Sequence, residues 1–593
     1  MISKLYETPL PASRTGPLYN AFSYPTKISP EAIAIFIATH TRPGATVLDT
    51  FGGSGTTGLA ALLCDSPTDV MKEMASKIGV TPEWGPREAH IYDIGVLGSF
   101  VANTLCSPPT SQDFTRALES FFSKADEKIG WMYEAYNLDG GDGYIRHVIW
   151  SDVLQCAHCD KALPYFDVCT QQEPLKFLDH FLCPFCSEKN EAKNCRRAHE
   201  VVFDDLTNES ITRKKRIPVR VYGQSGKNKW YRDVTEHDIN IIDKIYSLSL
   251  PSSAPNKVIE WGDLYRSGYH YGITHLHHFY TRRNFYVISA LWELTLNYEK
   301  EIRDVLQLLI LSYNSSHSTL MTRVVAKKGQ KDFVLTGAQS GVLYVSSLPV
   351  EKNILVGLKR KSIAFEKAFE LIRGSSSRVI VKNMSSEQLP IADGSIDYVF
   401  TDPPFGDYIP YAELNQINEL WLGSTTDRSK EIIVSKAQDK SVEQYGVMMS
   451  SVFSEIERTL NPHGKATVVF HSAKSKIWQE LANAYSKAGL IVKYTSVLDK
   501  LQASFKQTNS TISVKGDPLI LLTKGDVNQY YELDTYPLME EIFRGVDFND
   551  VDELTPERLY SRYINKCLKK GIHVEMDAEE FYKAAFVVLG GKS

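Results

Sequence analysis

The run Val47-Leu48-Asp49-Thr50-Phe51-Gly52-Gly53-Ser54-Gly55-Thr56-Thr57 reads as a buried strand that ends in an acid, turns on glycines and opens a helix. Glycines at 53 and 55 let a backbone approach a ligand closely, and the start of a helix offers N–H groups with no partner in the helix itself. Such a turn suits a nucleotide-like cofactor. The spacing of Gly53, Gly55 and Gly58 also meets the dinucleotide pattern, so a nicotinamide enzyme is one alternative here; a purely structural strand-to-helix turn is another. Asp93 closes the next strand, Ala89 to Asp93, where a doubly wound sheet meets ribose hydroxyls. The plainer role for Asp93 is to cap the helix that follows.

Outward from this turn, the pattern is helix (Ile28 to Thr39), strand (Ala45 to Asp49), helix (Thr56 to Cys64), strand and helix (Val101 to Leu105). Alternation of this kind predicts an α/β protein with a Rossmann-like, doubly wound, mostly parallel sheet. It stops near Cys106 and resumes at Val379 to Lys382 and Ile396 to Asp402. Later strands are expected at Ala466 to Phe470, Ile491 to Val497 and Pro518 to Leu522. The simplest organisation is one core interrupted by a long insertion. Residues 1–106 carry the cofactor turn, 107–374 the insertion, 375–527 the rest of the core and 528–593 a small helical C-terminal region, with Thr555 capping a helix that starts at Pro556.

The second informative run is Ile396-Asp397-Tyr398-Val399-Phe400-Thr401-Asp402-Pro403-Pro404-Phe405. A buried strand delivers an acid at its carboxyl end, two prolines stiffen the backbone and an aromatic ring follows. This suits a planar amine: Asp402 accepts one hydrogen of an exocyclic amino group, a carbonyl of the proline segment accepts the other, and Phe405 stacks on the heterocycle. A bland turn is the competing reading. Together, the Phe51–Gly55 turn and Asp402-Pro403-Pro404-Phe405 resemble the amino-methylating DNA methyltransferases, in particular adenine-specific enzymes with a zinc ribbon. The resemblance implies a methyltransferase sheet with S-adenosylmethionine beside Asp49, Phe51, Gly53 and Gly55, and with Asp93 on its ribose. It also implies a flipped adenine held by Asp402, Pro403, Pro404 and Phe405. The upstream run Tyr24-Pro25-Thr26-Lys27 is similar to the motif preceding the cofactor turn in that family, which makes Lys27 a contact to the cofactor carboxylate; a solvated lysine is the bland alternative. The family's fourth motif position is most often tyrosine, and Phe405 keeps the stacking face.

In the insertion, Cys156/Cys159 and Cys183/Cys186 form two Cys-x-x-Cys pairs at a spacing that lets two knuckles converge on one structural Zn²⁺. Cys169 and Cys195 lie nearby as spare thiols. Between Ser210 and Arg232 there are eight basic residues and no acid: Arg213, Lys214, Lys215, Arg216, Arg220, Lys227, Lys229 and Arg232. Interleaved with Tyr222, Trp230 and Tyr231, they form a phosphate-contacting candidate for DNA. His270, His275, His277 and His278 have the residue type of metal ligands, but their aromatic neighbours point to packing.

Composition bounds the rest. The 593 residues are 43% hydrophobic, enough for packed domains, and the net charge of −5 confines any nucleic-acid affinity to a local patch. No apolar run reaches the length of a membrane span, and the first residues lack the apolar core of a secretory signal, so a cytoplasmic protein without membrane partners is expected. No cysteine follows a proline, which removes the usual nucleophile of cytosine C5 methylation. The expectation is a site-specific, S-adenosylmethionine-dependent methyltransferase acting on N6 of adenine in duplex DNA by base flipping. From the family come a restriction-modification or defence setting and a partner protein. RNA purine-amine or cytosine-N4 methylation, and a non-catalytic zinc-ribbon DNA-binding subunit, are the alternatives.

Overall fold

The computed structural model describes residues 2–7, 10–12, 16–320, 322–337, 341–500, 517–525, 535–544 and 555–588. The chain divides into two compact units. One contains Met1–Pro108, Phe365–Ala412 and Thr425–Ser593; the other contains Pro109–Ala364 and Glu413–Ser424.

The first unit is built on eight strands: β1 Leu10–Ala12, β2 Thr46–Asp49, β3 Glu88–Asp93, β4 Arg378–Asn383, β5 Ile396–Thr401, β6 Leu460–Val469, β7 Leu490–Lys500 and β8 Asp517–Lys524. Their order in the sheet is β1-β7-β8-β6-β5-β2-β3-β4. β5 and β3 flank β2 in parallel, and β8 runs antiparallel to both β6 and β7. Strand order therefore reverses at β2 and β5, the switch point where such sheets open a crevice beyond their carboxyl ends. The doubly wound sheet of the expected class is thus present.

Helices α1 Pro17–Ala21, α2 Pro30–His40, α3 Thr56–Asp65, α4 Val96–Leu105, α6 Val442–Thr459, α7 Ser475–Lys487, α8 Pro556–Lys570 and α9 Ala578–Val588 accompany it, while α5 Tyr411–Leu422 belongs to the second unit from Glu413 onward. α2 is apolar all round, and Ala32 through Ala38 are buried, as expected of a helix covered on more than one side. α8 and α9 place Leu559, Tyr560, Tyr563 and Phe581 in the same core cluster as Phe405 and Val399. They are part of the core, and the expected boundary at 527/528 lies outside the described residues.

The second unit centres on a long strand, Asp142–Gln155, paired antiparallel with Arg216–Ser225, which pairs in turn with Asn228–Asp233. Helices Ser111–Ile129, Arg282–Thr295 and Lys300–Leu311 belong to the same unit. Among the described residues, no helix is long and apolar enough to cross a membrane.

Candidate active site

Parallel pairing sets the register that brings the two sequence motifs together. Val47 lies opposite Tyr398 and Leu48 opposite Val399, so β2 and β5 end side by side and release their loops at the same edge of the sheet. Hydrogen bonds tie the two ends. The Thr401 hydroxyl donates to Asp49 Oδ1 at 2.8 Å and lies 3.0 Å from the Thr50 hydroxyl. Phe51 packs on the core cluster that includes Phe405. The glycine turn and the Asp-Pro-Pro-Phe segment thus border one crevice.

Asp49 is buried and fastens the turn. Besides Thr401, it accepts from the Thr57 hydroxyl at 2.6 Å and from the Phe51 N–H at 3.0 Å. Burial raises its pKa to about 6 against the opposing pull of these three donors. The glycines divide by task. A Cβ on Gly55, which has φ +79°, would lie 2.7 and 2.8 Å from Cβ and Cα of Ala102, so that glycine allows α3 and α4 to touch. Gly53, at φ +48°, faces the ring of Tyr24, 3.3 Å from where its Cβ would be. Gly55 caps α3 without a side-chain hydrogen bond, which suits that helix end to polar or anionic ligand atoms.

Asp93 ends the neighbouring strand, half-buried, accepting the N–H of Gly53 at 2.7 Å and of Gly95 at 2.6 Å. Burial raises its pKa, opposed by those two N–H groups. Lys27, expected at a cofactor carboxylate, is buried with its ammonium on the carbonyls of Leu18 (2.9 Å), Tyr19 (3.3 Å) and Phe22 (3.4 Å), where it closes the end of α1.

On the other side of the crevice Asp402 and Pro404 are half-buried and Pro403 is buried. The Tyr445 hydroxyl, from α6, donates to the Pro404 carbonyl at 2.7 Å and pins the segment. Phe405 is 6% exposed, with Phe470 edge-on at 5.4 Å and Tyr408 at 6.1 Å, so much of its ring is spent on packing. Tyr408, half-buried, supplies a second aromatic surface.

Tyr411 joins the two motifs in a way the sequence did not signal. Its ring stacks on Tyr24 at 6.2 Å and its hydroxyl lies 2.9 Å from that of Thr26. Burial pushes its phenol well up, and the carboxylates of Asp402 and Asp93 both add to that push. One hydroxyl therefore feels an acid from each motif. Without a cysteine, histidine or glycine to mark it, Tyr411 could have been found only from its spacing beyond Asp402.

In the insertion the four expected cysteines converge. Their Sγ atoms all lie within 4.8 Å of one another, with Cys156–Cys186 at 3.8 Å and Cys159–Cys183 at 3.6 Å. A tetrahedral Zn²⁺ with Zn–S of about 2.3 Å requires S–S edges of about 3.8 Å. N–H groups of His158 and Phe185 point at Cys156 and Cys183 at 3.5 and 3.4 Å, as they do toward thiolates. The set is compatible with zinc. Cys169 and Cys195 are buried in the adjacent small core and stand outside the four.

Four of the eight residues of the basic stretch meet carboxylates. Arg213 pairs with Glu200 (2.8 Å), Arg216 with Asp152 (2.9 Å) and Arg220 with Asp233 (3.6 Å), while Arg232 is buried against Asp238. Lys215, Lys227 and Lys229 are exposed.

An α/β sheet whose switch point is flanked by a glycine turn and an Asp-Pro-Pro-aromatic segment defines a Rossmann-like protein. Residues 5–66, which contain that turn, match the family model described as DNA methylase, and the match supports a methyltransferase family. No curated protein matches the chain. Solved structures with local similarity include the antibiotic-resistance methyltransferase Kmr, at 13% identity over 29% of this chain and 73% of that one, with a TM-score of 0.16. A SAM-dependent methyltransferase from Methanosarcina mazei shows 12% identity over 28% and 79%, with a TM-score of 0.16. The 16S rRNA (adenine(1408)-N(1))-methyltransferase from Catenulisporales acidiphilia shows 10% over 29% and 74%, with a TM-score of 0.15. Overlaps this low carry no weight for function.

Proposed function

We propose that the chain is an S-adenosylmethionine-dependent DNA methyltransferase that modifies N6 of adenine. The observation that carries this reading is the adjacency of β2 and β5, which sets the Phe51–Gly55 turn and Asp402–Phe405 on one crevice. The match of residues 5–66 to a DNA methylase family adds the substrate class.

The residues fit the cofactor by their chemistry. An uncapped helix start, a glycine turn under the Tyr24 ring and a half-buried acid on the next strand meet the polar, aromatic and hydroxyl parts of an adenosyl amino acid. Bound there, S-adenosylmethionine supplies an electrophilic methyl group. Asp402 accepts one hydrogen of the adenine amino group and the Pro403 carbonyl accepts the other, which turns the nitrogen lone pair out of the ring plane toward the glycine turn. The Asp402 carboxylate then takes the proton that the methylated amine sheds. Tyr445 keeps the proline segment rigid, and Phe405 with Tyr408 forms the aromatic wall against the base. Positioning and exclusion of water supply most of the acceleration. A duplex hides the amino nitrogen from in-line attack, so the base is flipped.

Zn²⁺ on Cys156, Cys159, Cys183 and Cys186 holds the ribbon, and the exposed Lys215, Lys227 and Lys229 contact DNA phosphates. The same reading places the enzyme in the cytoplasm, in a restriction-modification or defence setting with a partner protein. Tritium transfer from labelled S-adenosylmethionine to unmethylated plasmid, to single strands and to tRNA tests it. Label recovered as N6-methyladenine from plasmid is expected. Strict tRNA preference, or label in cytosine, overturns the assignment of substrate.

A further inference from the structure

The insertion unit holds a cavity of about 330 Å³, within the size range of small-molecule sites. Its walls come from the hairpin His199–Asp204 and Glu209–Lys214, the turn Leu276–Phe279 and the start of helix Arg282–Thr295. Aromatic side chains dominate the apolar part: Trp150, Tyr246, Tyr271, Tyr280 and Phe285. The charged part carries Arg213, Lys214, Arg216 and Arg282.

Three carboxylates also line it, Glu200, Asp204 and Asp205, and each is already engaged. Asp205 holds both terminal nitrogens of Arg282, at 2.8 and 2.6 Å. Glu200 takes the Nε–H of Arg213 at 2.8 Å. Asp204 Oδ2 lies 2.7 Å from His277 Nε2 and 3.0 Å from His278 Nε2, while its Oδ1 accepts the N–H of Leu206 at 3.0 Å.

The Asp204, His277 and His278 cluster has the residue types of a metal site, but the proton positions close it. His278 Nδ1 accepts the N–H of Thr274 at 3.1 Å and of His275 at 3.3 Å, so its Nε2 carries the hydrogen and donates to Asp204. A metal at Nε2 would need the opposite tautomer. The cluster therefore serves as a wall that ties the histidine turn to the hairpin.

Positive charge is left over. Arg216 gives its Nε–H to Asp152 at 2.9 Å, and Arg197 faces the other oxygen of the same carboxylate at 3.6 Å. The Lys214 ammonium rests on backbone carbonyls, that of Tyr269 at 3.4 Å among them. Among the described residues, no hydrogen bond runs from the terminal nitrogens of Arg216 to a protein acceptor. Guanidinium N–H groups beside aromatic walls in a partly open cavity match a planar ring bearing an anionic group.

We propose that this cavity binds a nucleotide, its ring against the aromatic walls and its phosphate on Arg213 and Arg216. The site is separate from the methyl-transfer crevice and stands without that assignment. A free mononucleotide and the 5′-phosphorylated end of a strand share this chemistry.

Calorimetry on the full chain tests the proposal, with S-adenosylhomocysteine present throughout to occupy the other crevice. The titrants are AMP, inorganic phosphate and a 5′-phosphorylated dinucleotide. AMP is expected to bind more tightly than phosphate. Arg213→Gln removes a charged donor, and Val202→Trp fills the cavity without touching a charge; each is expected to weaken AMP binding about tenfold or more. A dinucleotide that displaces AMP identifies strand ends as the source, and one that does not identifies free nucleotides; both outcomes support the site. The proposal is overturned if AMP does not bind, if phosphate alone binds as tightly, or if Arg213→Gln leaves AMP affinity unchanged. Titration of S-adenosylhomocysteine into the chain prepared without it reports on the methyl-transfer reading separately.

Discussion

At the residue scale, the crevice depends on side chains whose neighbours are already assigned. Asp402 stands at the carboxyl end of a central strand, where Asp49, Thr401 and Thr57 tie the ends of β2 and β5 together. Asp402→Ala is therefore expected to lower methyl transfer by about two orders of magnitude or more while S-adenosylhomocysteine affinity stays nearly intact. Loss of folding or of cofactor binding in that variant would show that the residue belongs to the scaffold. Gly55 is the opposite case. Its left-handed backbone and the nearness of Ala102 leave no room for a methyl group, so Gly55→Ala should cost about 1–3 kcal/mol of stability, read as a lower denaturant midpoint. An unchanged midpoint would mean that α3 and α4 can separate freely. Asp49, Asp93 and Asp402 stand at or just past strand ends, and Gly53 and Gly55 in the turn between β2 and α3, the positions that residue type and spacing predict. A lysine's charge does not say whether its ammonium also meets backbone carbonyls, and that of Lys27 meets those of Leu18, Tyr19 and Phe22.

At the scale of elements, the alternation of strands and helices gave the sheet but not its order. Periodicity is local, whereas the placement of β8 between β6 and β7 depends on which edges find partners after the chain has folded. The C-terminal helices illustrate the same limit. α8 shows a polar sequence overall, yet its apolar stripe packs Leu559, Tyr560 and Tyr563 into the main core. The four-cysteine element was legible because metal ligands must recur at fixed short spacing. Cys183→Ser should release its metal, measured as zinc per chain by elemental analysis, and weaken DNA binding while S-adenosylhomocysteine affinity is retained. Full zinc content in that variant would remove Cys183 from the ligand set. In the basic stretch, charge counting cannot see the carboxylates that Arg213, Arg216, Arg220 and Arg232 meet in the fold.

At the scale of the whole molecule, each unit carries histidines buried in the neutral form. His40 in the first unit has its pKa lowered by burial to about 4, and burial lowers His317 in the second to about 3. Both folded values lie below the ordinary 6.5, so the unfolded chain takes up protons first. Stability is full above about pH 7, falls as pH drops through 6.5, and levels off only below the folded values. At pH 5 the loss for each of these histidines is about 2 kcal/mol. Urea midpoints measured at pH 7.5 and pH 5.0 should therefore fall for the chain as a whole, and equal midpoints would contradict neutral burial.

The central claim is that one crevice of the sheet holds both the methyl donor and the receiving amine. A crystal structure with a bisubstrate analogue, adenosine joined through its N6 to the sulfonium position of the cofactor, tests this most directly. The expected density has the cofactor half against Phe51–Gly55 and Asp93, and the tethered adenine against Asp402–Phe405. An analogue lodged with its adenine away from Asp402, or bound outside the crevice altogether, would contradict the claim.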